Sequence, residues 1–149
     1  MKALLSKACA INGMIEQRVV KLESLLLLGI RLWMANIFFM SGWNKLKDYL
    51  DGNGDNVLYL FQEIHPVPLL PAELAAPMGT AGEVVLGALL AIGLMGRFAA
   101  LGLVVMTIVI QLALPQLNTH MLWGLLLAVI AVRGAGCFSV DALLKKKGG

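Results

Sequence analysis

The sequence predicts an all-α fold: an integral membrane four-helix bundle with an N-terminal amphipathic helix and a short outer-surface helix in the first loop. Three observations support this fold class. Of the 149 residues, 59% are hydrophobic and only 14% are charged, whereas a soluble domain carries about 25% charged residues. The mean hydropathy is +0.82. Most apolar residues lie in runs near the length of about 20 residues that crosses a bilayer as a helix.

The N-terminal segment, residues 1–23, has the pattern of an amphipathic helix. Its apolar residues recur at steps of three and four, which is the helical period. Basic residues lie among them, as is typical of a helix at the membrane interface. We therefore predict that this segment stays in the mature protein and leads into the bilayer. The apolar positions are Leu4, Ala8, Ile11, Ile15, Val19 and Leu22, and the basic ones are Lys2, Lys7, Arg18 and Lys21.

Four apolar runs predict the spans of a membrane domain that covers residues 24–144. The runs lie at about residues 24–44, 74–95, 98–114 and 119–136. Only Gly96 and Arg97 separate the second run from the third, which predicts a tight antiparallel hairpin at these two residues. Residues 115–118 predict an equally short turn before the fourth span. Residues 145–149 form a basic tail.

The distribution of basic residues predicts that both termini are cytoplasmic, because Lys and Arg accumulate on the cytoplasmic side of membrane proteins. The long loop from Lys45 to Glu73 is then outside, and the apolar periodicity of residues 56–64 predicts a short helix on the outer surface. The net charge of +3 follows from this topology, so nucleic acid is not an expected partner. Nine basic residues lie on the predicted cytoplasmic side, namely Lys2, Lys7, Arg18, Lys21, Arg97, Arg133, Lys145, Lys146 and Lys147, against Lys45 and Lys47 outside.

No metal site and no disulfide framework are expected. Residues 51–55 (DGNGD) resemble the opening of a calcium loop, but the sixth position is Asn56 instead of glycine and the twelfth is Gln62 instead of glutamate. A glycine-rich turn explains the segment better. Cys9 and Cys137 lie near opposite ends of the chain, and neither belongs to a CxxC motif.

Arg31 and Glu83 are the ionisable residues deep within the predicted spans, and we single them out as candidate catalytic residues. A charge at the centre of a bilayer costs about 2.5 to 3.5 kcal/mol, so each requires a compensating interaction or a function. Their estimated depths differ by about 9 Å at 1.5 Å per residue, which an extended arginine side chain can nearly cover. We therefore predict that they pair. Gly79 and Gly87 flank Glu83 at four-residue spacing, which predicts that Glu83 faces the bundle interior.

Five further polar residues are candidates for binding a cofactor. Asn36, Thr80, Thr107 and Gln111 lie at depths similar to that of Glu83 and predict a polar layer, although Asn36 is about 140° from Arg31 around its helix at 100° per residue. Such residues also serve as hydrogen-bonding contacts between helices, with no ligand involved. His120 lies at the start of the fourth span, and three roles are open for it: a haem ligand, a proton donor to a quinone, or a polar anchor at the interface.

Several short segments, in their order and spacing, resemble the DoxX family of four-helix bacterial membrane proteins. The resemblance covers roughly residues 28–144. It rests on the first span with Arg31 followed by SGWNKL (41–46), on PVPLLP (66–71) followed by Ala75 and Ala76, on Gly79-Thr80 with Glu83, on GLMGRFAA (93–100) and on RGAGCFSVD (133–141).

The resemblance implies a protein of the bacterial inner membrane that belongs to a group of membrane oxidoreductase components. Relatives in that group include the small subunit of a thiosulfate:quinone oxidoreductase, and some members accompany superoxide dismutase and sulfurtransferase partners. It therefore implies quinone as the cofactor and redox enzymes as partner proteins. The family carries no settled catalytic motif, so the candidate site residues depend on this sequence alone.

Two hypotheses about function stay open. The first is a subunit of a membrane oxidoreductase system that interacts with quinone or relays protons at Glu83. The second is a non-catalytic membrane scaffold that docks partners in a redox or metal-stress pathway. Transport of a small solute is disfavoured, since the sequence has no inverted repeats and no broken spans. The lipid bilayer is the expected surrounding of the chain, and a homo-oligomer is compatible with the sequence.

Overall fold

The computed structural model describes residues 2–64, 66–68, 70–115 and 118–148, with side chains from residue 22 onward. Within this part of the chain all regular structure is helical. The helices are α1 (Lys2–Leu50), α2 (Gly54–Tyr59), a π-helical turn (Leu60–Ile64), α3 (Ala72–Ile92), α4 (Gly96–Ala113), α5 (Thr119–Arg133) and α6 (Val140–Gly148). The predicted all-α fold class is confirmed.

Helix α1 is longer than the first predicted span. It runs without a break through residue 23, where we placed the end of the amphipathic segment, and continues beyond residue 44 to Leu50. Helix α1 contains no proline, so every residue keeps the backbone N–H group that a continuous helix requires. The predicted amphipathic face falls on the side chains of residues 2–21, which lie outside the described residues, as does His65.

Three helical stretches in the described part of the chain are long and apolar enough to cross a membrane: Leu22–Leu50, Ala72–Ile92 and Gly96–Ala113. Helix α5 is equally apolar but has only 15 residues, which corresponds to about 22 Å at 1.5 Å per residue. A lipid environment favours this architecture, because a helix satisfies its own backbone hydrogen bonds.

The four apolar helices form a bundle in which each packs against two neighbours. Helix α1 packs against α3 and α5, and α4 packs against α3 and α5. Arg31 lies beside Gly93 and Lys45 beside Glu83, so α1 and α3 are antiparallel. The centre of the bundle is filled by fully buried side chains from all four helices: Met34, Phe38, Leu90, Leu103, Leu127 and Ile130.

The tight turn between α3 and α4 lies at Gly93–Met95, three residues before the predicted position at Gly96 and Arg97. Gly93 adopts a φ of +70° and its amide bonds to the Leu89 and Leu90 carbonyls, which ends α3. Met95 then adopts a φ of +49°, and α4 begins at once. The prediction was wrong because Gly96 and Arg97, placed in the turn for their composition, form the first turn of α4.

The loop between α1 and α3 contains the predicted short helix, as α2 and the π-helical turn. It packs on α1 and α3, and Val57 is its buried apolar residue. Phe61 lies so close to α3 that a Cβ on Gly79 would be 2.7 Å from the Phe61 ring. The loop helix therefore covers one end of the groove between α1 and α3.

Candidate functional site

A half-open cavity of about 430 Å³ lies between α1, α3, α4, α5 and the loop helix. Most of its lining is apolar. Four polar side chains also face it: Ser41, Lys45, Glu83 and His120. A mainly apolar cavity with a few convergent polar groups is the usual form of a small-molecule site, and its volume lies within the usual range of about 300 to 1,000 Å³. The apolar lining includes Phe61, Met78, Val105, Met106, Ile110 and Trp123.

Glu83 is buried and forms an ion pair with Lys45. The Lys45 Nζ atom donates to both carboxylate oxygens of Glu83, at 2.7 and 2.6 Å, and also to the Ser41 hydroxyl at 3.0 Å. The Glu83 side chain is 5% exposed and that of Lys45 is 15% exposed. Charge-assisted bonds of this length are stronger than neutral ones. The pair joins α1 to α3 and supplies both a cation and an anion to the wall of the cavity.

Close packing of α1 and α3 holds the ion pair in place. A Cβ on Gly42 would lie 2.7 Å from the Glu83 Cβ, and one on Gly87 would lie 2.9 Å from the Phe39 backbone nitrogen. These glycines allow the two helices to approach each other as small residues do at membrane helix interfaces. The prediction that Gly87 supports close packing near Glu83 agrees with these distances. Gly79, in contrast, makes room for Phe61 of the loop helix.

Arg31 does not pair with Glu83, so this prediction was wrong. Its two terminal nitrogens donate to the carbonyl oxygens of Ala135 and Phe138, each at 2.8 Å. Its Nε atom is buried and has no hydrogen-bond partner among the described residues. The depth estimate of about 9 Å was too small: Arg31 lies beside Gly93, ten residues after Glu83, which is about 15 Å along α3, and there it reaches the turn after α5. Arg31 connects α1 to that segment and does not line the cavity.

The predicted polar layer around Glu83 does not form. Asn36 is exposed on the outside of α1, as its angle of about 140° from Arg31 requires. Thr80 and Thr107 are buried, but each hydroxyl donates to a carbonyl one turn earlier in its own helix, at Ala76 (2.8 Å) and Leu103 (2.7 Å). This local hydrogen bond satisfies a threonine inside a helix without a second partner.

Gln111 lies at the end of α4, outside the cavity lining. Its amide nitrogen donates to the Pro115 carbonyl at 3.2 Å and approaches the Leu114 carbonyl at 3.5 Å. Its Oε1 atom is buried without a hydrogen-bond partner in the described part of the chain. Gln111 thus caps carbonyls of the turn that follows α4, which is a structural contact and not a contribution to the polar layer.

His120 is the predicted residue that the structure brings to the same cavity as Glu83. Its side chain is 7% exposed, and its ring packs edge-on against Trp123 with centroids 5.1 Å apart. The Nδ1 atom is buried and lacks a hydrogen-bond partner among the described residues. Leaving such an atom without a partner costs about 1 to 3 kcal/mol, so a rotation of the ring that turns it towards a ligand in the cavity would gain a hydrogen bond.

Lys45 is the site residue that sequence reasoning missed. It lies one residue beyond the first predicted span and was counted only as a basic residue of the outer loop. No group of three His, Cys, Asp or Glu side chains within the described ranges could hold a metal ion. The site that emerges consists of one ion pair, the serine that bonds to its lysine and one histidine around an apolar space.

Comparisons with known proteins bear on the family. A sequence model described as DoxX matches residues 26–116 of the chain. An uncharacterized protein of Haemophilus influenzae is 30% identical over 135 aligned residues, which cover 80% of this chain and 83% of that protein. No solved structure matches the chain.

Proposed function

Since the chain belongs to the DoxX family and is a multi-pass membrane protein with lipid-facing apolar helices, we propose that its cavity binds the head group of a quinone. The chain then acts as a subunit of a membrane oxidoreductase system. The observation that carries this proposal is the convergence of Lys45, Glu83 and His120 on one largely apolar cavity.

A quinone ring is flat and apolar apart from two carbonyl oxygens, which accept hydrogen bonds. The cavity offers donors of the matching kind. The Lys45 ammonium has three donors, which bond to Glu83 and Ser41, so one is released to a quinone oxygen when Lys45 turns. The buried His120 Nδ1 atom has no partner among the described residues, and it bonds to the quinone when the imidazole ring rotates. Aromatic side chains of Phe61 and Trp123 face the same space and can pack against a ring. The isoprenoid tail of a membrane quinone would extend into the surrounding lipid.

Glu83 supplies the proton chemistry of this proposal. Reduction of a quinone to a quinol takes up two electrons and two protons, and oxidation of the quinol releases them. In quinol oxidation the Glu83 carboxylate can accept one of the two protons when Lys45 turns towards the quinol oxygen, and water takes the second. In quinone reduction the protonated Glu83 returns its proton, and water supplies the second. The electrons would come from or go to a partner redox protein. Arg31 has no part in this step, because it is bound to the turn after α5.

The second candidate function, a non-catalytic scaffold, is favoured by one observation. The charge of Glu83 is neutralised by Lys45, and Arg31 bonds to backbone carbonyls, so all three buried charges already hold helices together. In this alternative the cavity is filled by lipid chains, and the protein contributes a docking surface to a redox or metal-stress system.

We also propose an orientation in the bacterial inner membrane. The division of basic residues supports cytoplasmic termini. The cavity, which lies at the end of the bundle with the loop helix, then faces the outer half of the bilayer, where membrane quinones can reach it laterally.

The quinone proposal is tested on protein purified in a mild detergent. Bound quinone is extracted and quantified per mole of protein, and binding of a short-chain quinone is measured by quenching of tryptophan fluorescence. We expect His120→Phe to weaken binding about tenfold, because one hydrogen bond to a buried group is lost. The Asn36→Leu variant is the control, since Asn36 is exposed on the outside of α1.

Two further measurements distinguish quinone binding from the scaffold function. Trp123→Phe removes the tryptophan in the cavity, so the quenching signal should decrease while extraction still recovers quinone. The proposal is contradicted, and the scaffold favoured, if the wild-type protein yields no quinone and shows no saturable quenching. The wild type and the variants must have equal unfolding temperatures for this comparison.

A further inference from the structure

A second cavity, of about 550 Å³, lies at the end of the bundle opposite the ion pair. It is formed where α4 begins, where α5 ends and where α6 starts. Its polar lining contains three basic side chains: Arg97, Arg133 and Lys145. We propose that this cavity binds the phosphate of an anionic phospholipid head group. The proposal is independent of the quinone site.

The shape of the turn after α5 brings Arg97 to the cavity. Gly134 has a φ of +93°, and a Cβ at this position would lie 3.3 Å from the Arg97 Nε atom. The Arg97 side chain therefore lies beside the backbone of the turn, where the positive φ of Gly134 favours a glycine. Arg97 is exposed, and the planar donor set of its guanidinium is well suited to a phosphate.

The charge of the cavity is positive despite one acidic residue in its lining. Asp141 accepts hydrogen bonds from the Met95 and Gly96 amides, at 2.8 and 2.9 Å, so both of its oxygens are engaged at the start of α4. Arg133 contacts Glu23 at 3.3 Å, but the Arg133 side chain is 65% exposed and that of Glu23 is 37% exposed, and such a solvent-accessible pair contributes little. These interactions leave basic groups available to an anion.

A lipid is a better match than a free anion, because apolar side chains lie beside the basic ones. Phe98 is 69% exposed and Leu144 is 55% exposed, and both line the cavity. The start of α4 and the end of α5 are also the places where spanning helices are expected to meet the head groups. Basic pockets between membrane helices at this level bind anionic head groups. Acyl chains would cover Phe98 and Leu144 while the phosphate contacts the basic residues.

The test is native mass spectrometry of the full chain in detergent with equal amounts of phosphatidylglycerol and phosphatidylcholine. We expect the wild-type protein to retain phosphatidylglycerol preferentially. Arg97→Gln and Lys145→Gln should each lower that preference about fivefold, which corresponds to one basic charge near an anionic surface. Lys47→Gln is the matched control: it removes one exposed basic charge at the opposite end of α1, and we expect no change.

Arg97→Lys protects the test against a folding defect, because it keeps the charge and should retain most of the preference. Inorganic phosphate at millimolar concentration is the second probe, and we expect it not to displace the lipid. Equal retention of both lipids by the wild type, an unchanged preference in Arg97→Gln and Lys145→Gln, or full displacement by inorganic phosphate would each overturn the proposal.

Discussion

The ion pair between Lys45 and Glu83 makes a quantitative prediction about stability. In Glu83→Gln the Lys45 ammonium stays in the bundle without its carboxylate, so we expect the free energy of unfolding to decrease. Breaking one partner of a buried pair costs about 3 to 5 kcal/mol. The Lys45 side chain is 15% exposed and can keep some contact with water, so we expect a loss of about 3 kcal/mol.

The double variant Lys45→Met with Glu83→Gln removes both charges and keeps side chains of similar length. A neutral pair no longer requires compensation, so we expect the loss to fall to about 1 kcal/mol. The two substitutions should therefore couple by at least about 2 kcal/mol. The pair of Arg31→Gln and Glu83→Gln serves as the control. These residues share no hydrogen bond, so their effects should add within about 0.5 kcal/mol.

The four variants of each cycle are unfolded by SDS in mixed micelles and followed by circular dichroism. Coupling below about 0.5 kcal/mol between Lys45 and Glu83 would refute the ion pair as described. Stronger coupling of Glu83 to Arg31 than to Lys45 would indicate that Glu83 pairs with Arg31, as the sequence predicted. Quinone binding measured on the same proteins separates a structural role from a functional one: recovery of stability without binding supports a functional role of the Lys45–Glu83 pair.

Three further predictions follow from other contacts. Gly87→Ala should lower the melting temperature, because the new Cβ would lie 2.9 Å from a backbone nitrogen of α1. Gly29→Ala is the control, since its Cβ would meet nothing within 4 Å. Equal melting temperatures of the two variants would contradict the close packing of α1 and α3. Asp141→Ala should lower the free energy of unfolding by about 1 to 2 kcal/mol in the same SDS assay, since it removes the cap of α4. In single-cysteine proteins, a cysteine replacing Asp51 should react with an impermeant maleimide in intact cells and Cys137 only after lysis; labelling of both in intact cells would contradict the orientation.

The fold class could be predicted from the sequence because lipid permits few alternatives. Apolar runs near 20 residues must form helices to satisfy their backbone groups, and short connections make neighbouring helices antiparallel. Local composition was less informative about the residues at which the helices begin and end. The turn between α3 and α4 depends on the left-handed conformations of Gly93 and Met95, and only the first of these has a residue type that suggests it.

The candidate site was predicted only in part, because the first span was ended too early. Lys45 lies 14 positions after Arg31, which corresponds to about 40° from it around a helix at 100° per residue. An extended helix would have placed Lys45 on the interior face with Arg31 and left Asn36 outside. The charge of Lys45 was interpreted as a sign of the membrane boundary. Charged residues near helix ends usually have that meaning, and here the side chain turns inward to Glu83.

The partner of Arg31 could not have been predicted from residue types. Its acceptors are the backbone carbonyls of Ala135 and Phe138, and every residue has a carbonyl. The structural cause is the irregular segment after α5, in which Gly134 and Gly136 have positive φ angles and the Ala135 and Phe138 carbonyls accept from Arg31. Glycines mark such a segment in the sequence, but they do not show which side chain it will bind.

The contact between Arg31 and the turn after α5 has a consequence for biogenesis. The two acceptors are 104 and 107 residues after Arg31 in the chain. At a synthesis rate of about 5 to 20 residues per second, they leave the ribosome roughly 5 to 20 s after Arg31 does. During that interval the first helix carries an arginine whose final hydrogen bonds do not yet exist. A nascent chain interrupted before residue 135 keeps this unsatisfied charge, which distinguishes it from a completed chain.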